Sequence, residues 1–381
     1  MSLIIRMKIA FASCLCHMLF WTRVLPIKKN RILFFSFQGK SYSCNPKYIL
    51  REKENGRNDF SEVELVWAFC DPNTYVGLNT HGIHVLEYGS LSFYYTFFTS
   101  HVVVTNASNL PYLPIKKKQL LMNTWHGGGA YKSESFDSAL THFRNRSVKV
   151  FLSSSKVFQE IMENSTGLSK KSFVPSGMPR NDVFFRLKPE DIQSKRKKLG
   201  LRSDTHYLLY APTYRDDHVD YEKPDFTRIL AALERRFGGQ WTLLVRGHYN
   251  TESLFDSVSD TNMVDLSTYD DMQDILCVAD VAITDYSSFI WDYSFLYRPC
   301  FLFVPDEARY QMMRGLYQPI EQWKFPFART NEELVQCILT FDMEKNQMLL
   351  KEHQDDLGSF EKGRASETAA YCILKWMRDE A

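Results

Sequence analysis

Much that would announce a particular chemistry is missing from this chain of 381 residues. It contains no GxxxxGK[ST] loop, no GxGxxG fingerprint and no HExxH helix, which removes the commonest phosphate-loop, dinucleotide and zinc-protease signatures. Asp-x-Asp is absent too, which argues against a carboxylate-clamped metal; no metal and no organic cofactor is expected. The cysteines (Cys14, Cys16, Cys44, Cys70, Cys277, Cys300, Cys337, Cys372) form no CxxC pair and no dense framework. They read as reduced thiols in a cytosolic setting, not as disulfides or zinc ligands. Nor is there an excess of one charge: 46 Lys and Arg stand against 45 Asp and Glu. Nucleic-acid binding is therefore not expected, and any anion must be met by local clusters or by backbone geometry. No repeat or low-complexity segment occurs, and beyond the N-terminus no apolar run reaches spanning length.

What is present is 44% apolar, 14% aromatic and 24% charged, a balance that excludes disorder, collagen-like sequence and simple coiled coil. The length suits two domains. Residues 9–25 are rich in apolar and aromatic side chains, with Arg6 and Lys8 before them and Lys28, Lys29 and Arg31 after. With His17 and Arg23 inside it, this stretch is marginal for a bilayer span, and the small cleavage residues of a signal peptide are missing after Phe20. The expectation is a helix lying in the membrane interface, Trp21 and the cations at headgroup level. A true span and a plain packed helix are the alternatives.

From Asn30 onward short apolar runs alternate with amphipathic stretches, the pattern of an α/β fold. Strands are expected at 31–37, 63–68, 101–105, 119–123 and 148–153, then at 207–210, 241–246, 281–284 and 300–304, with a short one at 264–266. A break near residues 177–186 precedes a charged helix at 189–199. Two α/β halves joined by a hinge imply a cleft, and ligands of such sheets bind outside the carboxyl ends of the strands. The lysine-rich runs 116–118 and 195–198 read as solvated faces, with contact to anionic lipid or a polyanionic acceptor as the alternative.

Four constellations sit where strands end. Asn123-Thr-Trp-His126-Gly127-Gly128-Gly129 offers an imidazole and a backbone able to approach and cradle an anion, helped by any helix that starts beyond it. The alternative is a tight turn with a structural His. Ala211-Pro-Thr213-Tyr-Arg215-Asp216 places a hydroxyl and a guanidinium suited to phosphate oxygens, or else a surface turn. Val245-Arg246-Gly247-His248 repeats the first arrangement, again with a structural His as the alternative. In Thr284-Asp285-Tyr286-Ser287-Ser288, paired serines open a helix, the usual setting for a bound phosphate or for ordinary capping.

Taken together, Trp-His-Gly at 125–127, Ala-Pro-Thr-x-Arg-Asp at 211–216, Arg-x-His at 246–248 and Thr-Asp-Tyr-Ser-Ser at 284–288 resemble the CDP-glycerol glycerophosphotransferases of teichoic acid synthesis. Supporting pieces are Phe37-x-Gly39-Lys, Asn45-Pro46, Gly177-x-Pro-Arg-Asn-Asp182, Pro299, Asp306, Arg314-Gly-Leu-Tyr317 and Gly363-Arg-Ala-Ser366. One departure stands out: the family often has Trp-His-Gly-Thr-Pro-Leu-Lys, where this chain reads Trp-His-Gly-Gly-Gly-Ala-Tyr-Lys132.

The resemblance implies a GT-B architecture of two Rossmann-like domains facing a cleft. It divides the chain into a membrane-associating segment 1–29, an acceptor-side domain 30–183 and a CDP-donor domain 184–381. It implies transfer of glycerol phosphate, or a related polyol phosphate, from CDP-glycerol or CDP-ribitol to a hydroxyl of a lipid-linked or polymeric acceptor. CMP would be released at the cytoplasmic face of the membrane. Under it, His126 is the general base, His248 and Arg246 stabilise the transferred phosphoryl group, and Thr213, Ser287 and Ser288 hold the diphosphate. Asp285 either orients a partner or contacts the donor, and Arg215 and Arg314 are further candidates for diphosphate contact. A GT-B glycosyltransferase using a nucleotide sugar, and a scaffold on a decayed transferase fold, are the competing expectations.

Overall fold

A computed structural model describes residues 3–51, 60, 62–107, 113–129, 131–133, 139–213, 222–247 and 262–379. Its strands are β1 (Lys28–Phe35), β2 (Glu64–Phe69), β3 (Ile83–Glu87), β4 (Ser100–Thr105), β5 (Leu120–Asn123), β6 (Val150–Ser153), β7 (Phe173–Pro175), β8 (His206–Tyr210), β9 (Trp241–Val245), β10 (Met263–Asp265), β11 (Val281–Thr284), β12 (Cys300–Phe303) and β13 (Phe327–Ala328). They form two sheets, ordered β3-β2-β1-β4-β5-β6-β7 and β10-β9-β8-β11-β12-β13. Neighbours within each sheet pair in parallel, as β1 does with β4 and β8 with β11.

Burial on both faces explains the near-continuous apolar runs of the central strands. In β1, Ile32 and Phe34 enter one cluster with Val102, Val104, Trp67 and Met122. Leu33 and Phe35 point the other way, into a cluster with Val103, Phe93, Phe97 and Phe151. In the second sheet Leu208, Tyr210, Leu243, Val245, Val281 and Ile283 line one face. The helix Phe226–Phe237 lays Ile229, Ala232 and Leu233 on it, the i, i+3, i+4 spacing of one helical stripe. Each such fully buried large apolar side chain contributes roughly 1.5–3 kcal/mol relative to exposure.

The expected strands all form, within a few residues at their ends. The three that apolar pattern did not disclose, β3, β7 and β13, are all sheet edges. β3 alternates apolar residues with His84 and Glu87, β7 ends in Pro175, and β13 is two residues long, so little apolar text marks them.

The chain divides into two units, but not at a single point. The first comprises Met1–Gly127, Ser135–Asp182 and Phe360–Ala381; the second comprises Gly128–Glu134 and Val183–Ser359. The main break at Asp182/Val183 lies within the expected window. The C-terminal residues do not stay with the second unit, as the 184–381 boundary had it. The helix Ala365–Asp379 instead sets Ala369, Ala370 and Ile373 into the first sheet's apolar cluster. The Asp182 carboxylate fixes its start, accepting from Ala365 N at 2.9 Å and Ser366 N at 2.8 Å.

At the N-terminus a helix, Leu3–Met18, runs into a 3-10 turn, Leu19–Val24, and both belong to the first unit. Among the described residues no helix is long and apolar enough to cross a membrane, so the spanning alternative falls. The lysine runs are solvated in part, with Lys117, Lys118, Lys197 and Lys198 exposed, but some of their ammonium groups are engaged. Lys116 Nζ donates to Leu25 O at 2.5 Å, and its burial lowers its pKa. Lys195 and Lys198 both pair with the buried carboxylate of Asp274.

Candidate active site

In the first unit the topology reverses between β1 and β4, the switch point beside which parallel sheets of this kind bind ligands, and the loops after β1, β4 and β5 come together there. His126 lies three residues beyond β5, half-buried. Its Nδ1 is 2.7 Å from the backbone carbonyl of Asn106, just past β4. A carbonyl only accepts, so Nδ1 carries the proton and the neutral ring has its lone pair on Nε2. Trp125 stacks on the imidazole at 4.6 Å, and Phe37 meets it edge-on at 5.7 Å.

The surrounding backbone is strained. Phe37 (φ 47°), Gln38 (φ 60°), Cys44 (φ 61°) and Trp125 (φ 55°) all lie in the left-handed region without being glycine. Buried polar groups hold that strain. Asn45 Nδ2 donates to the carbonyls of Thr124 at 3.0 Å and Trp125 at 2.9 Å, and its Oδ1 accepts from Arg180 N at 3.1 Å. The Arg180 guanidinium, itself buried, donates to His126 O at 2.7 Å. Glu361 closes the shell, accepting from Met178 N at 3.0 Å and Asn181 Nδ2 at 3.1 Å.

Gly128 and Gly129, after His126, serve packing. A Cβ on Gly128 would fall 2.0 Å from Trp291 Cδ1, and one on Gly129 (φ 67°) would fall 2.3 Å from Tyr131 Cε2. Among the described residues no helix begins directly after them to aim a dipole at an anion. The described residues there make a bridge between Lys132 and Leu316, with Tyr317 N on Tyr131 O at 2.9 Å and Ser133 N on Gly315 O at 2.9 Å. Gly128 and Gly129 thus favour the tight, packed reading over an anion cradle.

In the second unit the reversal lies between β8 and β11, and of the expected residues Thr213 and Asp285 meet there. Asp285, buried at the end of β11, accepts from Thr213 N with both oxygens, at 2.8 and 3.1 Å, and from Tyr286 N at 2.6 Å. It thereby pins the turn after β8 across the switch point. Tyr286 is buried, stacks on Tyr310 at 3.8 Å and donates to Asp306 at 3.0 Å. Ser288 stands at the N-cap of the helix Phe289–Ser294 but makes no side-chain capping bond. The first turn closes through main-chain carbonyls, Ile290 N on Ser287 O and Trp291 N on Ser288 O. Ordinary capping therefore does not explain Ser288, while a helix of six residues supplies only a short dipole.

Arg246 follows β9. Burial pulls its pKa down from the ordinary guanidinium value, against the opposing pull of Asp271 and Asp270. Its Nη1 is buried and has no hydrogen-bond partner among the described residues, while Nη2 reaches Asp270 O at 3.5 Å. Gly247 N donates to Ser267 Oγ at 2.9 Å. The supporting loop is tied down by Tyr269, whose hydroxyl donates to Asp274 at 2.7 Å. The two lysines beside Asp274 keep its carboxyl well below the usual range, and burial with Asp274 nearby pushes the Tyr269 phenol far up. Arg314 is exposed at the end of the helix Glu307–Met313. His248 and Arg215 lie outside the described residues. Among the described residues no three His, Cys, Asp or Glu side chains gather as metal ligands.

Sequence reasoning gave Asn45, Arg180 and Asp182 no more than a place in supporting motifs, and missed Asn106, Ser267 and Glu361. Their signal was faint: each acts through a main-chain atom of another loop, which no local pattern encodes.

The family model described as CDP-glycerol:poly(glycerophosphate) glycerophosphotransferase matches residues 17–375. The teichoic acid poly(glycerol phosphate) polymerase of Bacillus subtilis (strain 168) is 28% identical over 92% of this chain, which spans 49% of that protein's length. A polymerase of the same name from Bacillus spizizenii is 27% identical, over 92% of this chain and 93% of its own. Among solved structures, the wall teichoic acid polymerase TagF superimposes with a TM-score of 0.80 at 26% identity, covering 93% of this chain and 90% of the other.

Proposed function

From the premise that this chain belongs to the CDP-glycerol:poly(glycerophosphate) glycerophosphotransferase family, we propose that it transfers glycerol phosphate, or a related polyol phosphate, from a CDP-activated donor to an acceptor hydroxyl. The observation that carries this reading is the imidazole of His126, its Nδ1–H tied to the Asn106 carbonyl at the carboxyl end of the first sheet. That tautomer has its lone pair on Nε2, as a base for a hydroxyl requires. In the reaction the acceptor oxygen loses its proton to Nε2 and bonds to the donor's β-phosphorus. The bond from that phosphorus to the bridging oxygen breaks, and CMP leaves with the electron pair.

The first unit serves the acceptor and the second the donor. Arg246 and His248 neutralise charge on the transferred phosphoryl group, while Thr213, Ser287 and Ser288, with Arg215 and Arg314, hold the diphosphate. Asp285 acts by fixing Thr213. Positioning and charge neutralisation are what phosphoryl transfer mainly demands.

The acceptor is lipid-linked or polymeric, and the chain meets it at a membrane surface. Support comes from the N-terminal segment, where Met7, Phe11, Met18, Trp21 and Val24 are each more than half exposed. Lys8 and Arg23 lie among them, the composition of a helix resting in the headgroup region.

The test is product mass after parallel incubation with CDP-glycerol and CDP-ribitol and a lipid-linked acceptor, for the native chain and His126→Ala. Loss of a general base costs about 10²–10⁴-fold in rate. A folded His126→Ala protein with native turnover would overturn the assignment. Flotation with anionic vesicles, weakened by Phe11→Ser with Trp21→Ser, tests the membrane surface.

A further inference from the structure

The loops after β1, β4 and β5 meet at Asn106, and it does two things at once. Its main-chain carbonyl accepts from His126 Nδ1 at 2.7 Å, and its side-chain Oδ1 accepts from Phe37 N at 2.8 Å. Phe37 is an N–H donor, so the carboxamide must turn its oxygen there, and Nδ2 points elsewhere. That Nδ2 is buried and has no hydrogen-bond partner among the described residues. Asn106 is itself wholly buried, and its bonding partners lie in strained stretches, Phe37 at φ 47° and His126 next to Trp125 at φ 55°. Among the described residues the one bond its side chain makes is to Phe37 N, and that bond fixes the carbonyl that faces the imidazole.

We propose that Asn106 is a positioning residue for His126: by clamping its own carbonyl through Phe37 N, it selects the Nδ1–H tautomer and so keeps Nε2 able to take a proton. Imidazole in water prefers its proton on Nε2, the form that cannot act as a base at that atom. The ring nitrogen that is protonated is set by the bond its other nitrogen makes. This inference rests on His126 being the base, but it can be examined without turnover.

The experiment is ¹⁵N NMR of the full chain labelled at histidine, with the His126 signals identified by their loss in His126→Gln, alongside pH–rate profiles. The native protein should show His126 as the Nδ1–H tautomer above its titration. In Asn106→Ala the ring should pass to a mixture with the Nε2–H form. There kcat should fall about 10- to 100-fold, the usual weight of a supporting hydrogen-bond partner, with the donor KM unmoved. Asn106→Asp keeps the acceptor for Phe37 N, so it should retain the tautomer and recover rate. Its negative charge should move the acid limb of the profile to higher pH. Native Nδ1–H signals and native kcat in Asn106→Ala would overturn the proposal. Were that variant not to fold, an Asp variant that loses the tautomer, or leaves the acid limb in place, would do the same. Full activity in His126→Gln would instead refute the base assignment while leaving the tautomer result standing.

Discussion

His353 offers a test of the second unit that does not depend on catalysis. It lies in the helix Met343–Asp356 at 2% exposure, 2.6 Å from the Tyr131 hydroxyl, with Trp291 and Phe325 against its ring. Burial first, then the charge of Lys324, lowers its pKa from 6.5 to about 4. Tyr131, whose own pKa burial pushes well above its ordinary value, keeps its proton and donates it to Nε2. The folded protein therefore holds His353 neutral, whereas the unfolded chain takes up a proton below the ordinary value. Between those two pKa values the unfolded state binds more protons, so this contribution to stability is whole above pH 6.5 and drains away as the pH falls toward 4. At about 1.4 kcal/mol per pKa unit the full effect is about 3 kcal/mol, of which about 2 is lost between pH 7 and pH 5.

Urea unfolding read by the fluorescence of the buried Trp291 and Trp323 measures it. His353→Gln cannot titrate but can still accept from Tyr131. Carboxylates titrate alike in both proteins, so the stability gap between native and variant should shift in the variant's favour by about 2 kcal/mol from pH 7 to pH 5. Parallel loss of stability in the two proteins across that window would refute the buried neutral imidazole.

Other substitutions probe the scaffold. Gly128→Ala puts a Cβ 2.0 Å from Trp291 Cδ1, and thermal unfolding should show a loss of about 1–3 kcal/mol, the ordinary cost of overpacking. Asp285→Ala strands the Thr213 and Tyr286 amides; stability should fall by about 1–3 kcal/mol, and the donor KM should rise, as steady-state kinetics would register. Asp182→Ala uncaps the helix Ala365–Asp379 at about 1–2 kcal/mol, detectable as faster amide exchange in its first turn.

The central strands were legible because a parallel sheet buried on both faces needs unbroken apolar text, and β4, β5 and β11 are buried along their whole length. Their short polar endings were legible too, which is why His126, Thr213, Arg246 and Asp285 could be named as candidates without coordinates. The edge strands β3, β7 and β13 carry too little apolar sequence to signal themselves, although the edge strand β10 was legible. The helix Ala365–Asp379 shows the other limit: its apolar stripe announces burial but names no partner, and only the folded chain assigns it to the first sheet.

The same divide runs through the site. Which side chains are candidates for the chemistry is a matter of residue type and of place after a strand, and the amino-acid order alone is enough to name them. Which atom of His126 holds the proton, and whether Gly128 faces an anion or an indole, depends on loops far apart in the chain. Asn106 and Phe37 stand 69 residues apart, Asn45 and Trp125 80. A contact made by a main-chain carbonyl or amide leaves no mark on residue identity at its own position, so the tertiary structure alone decides it.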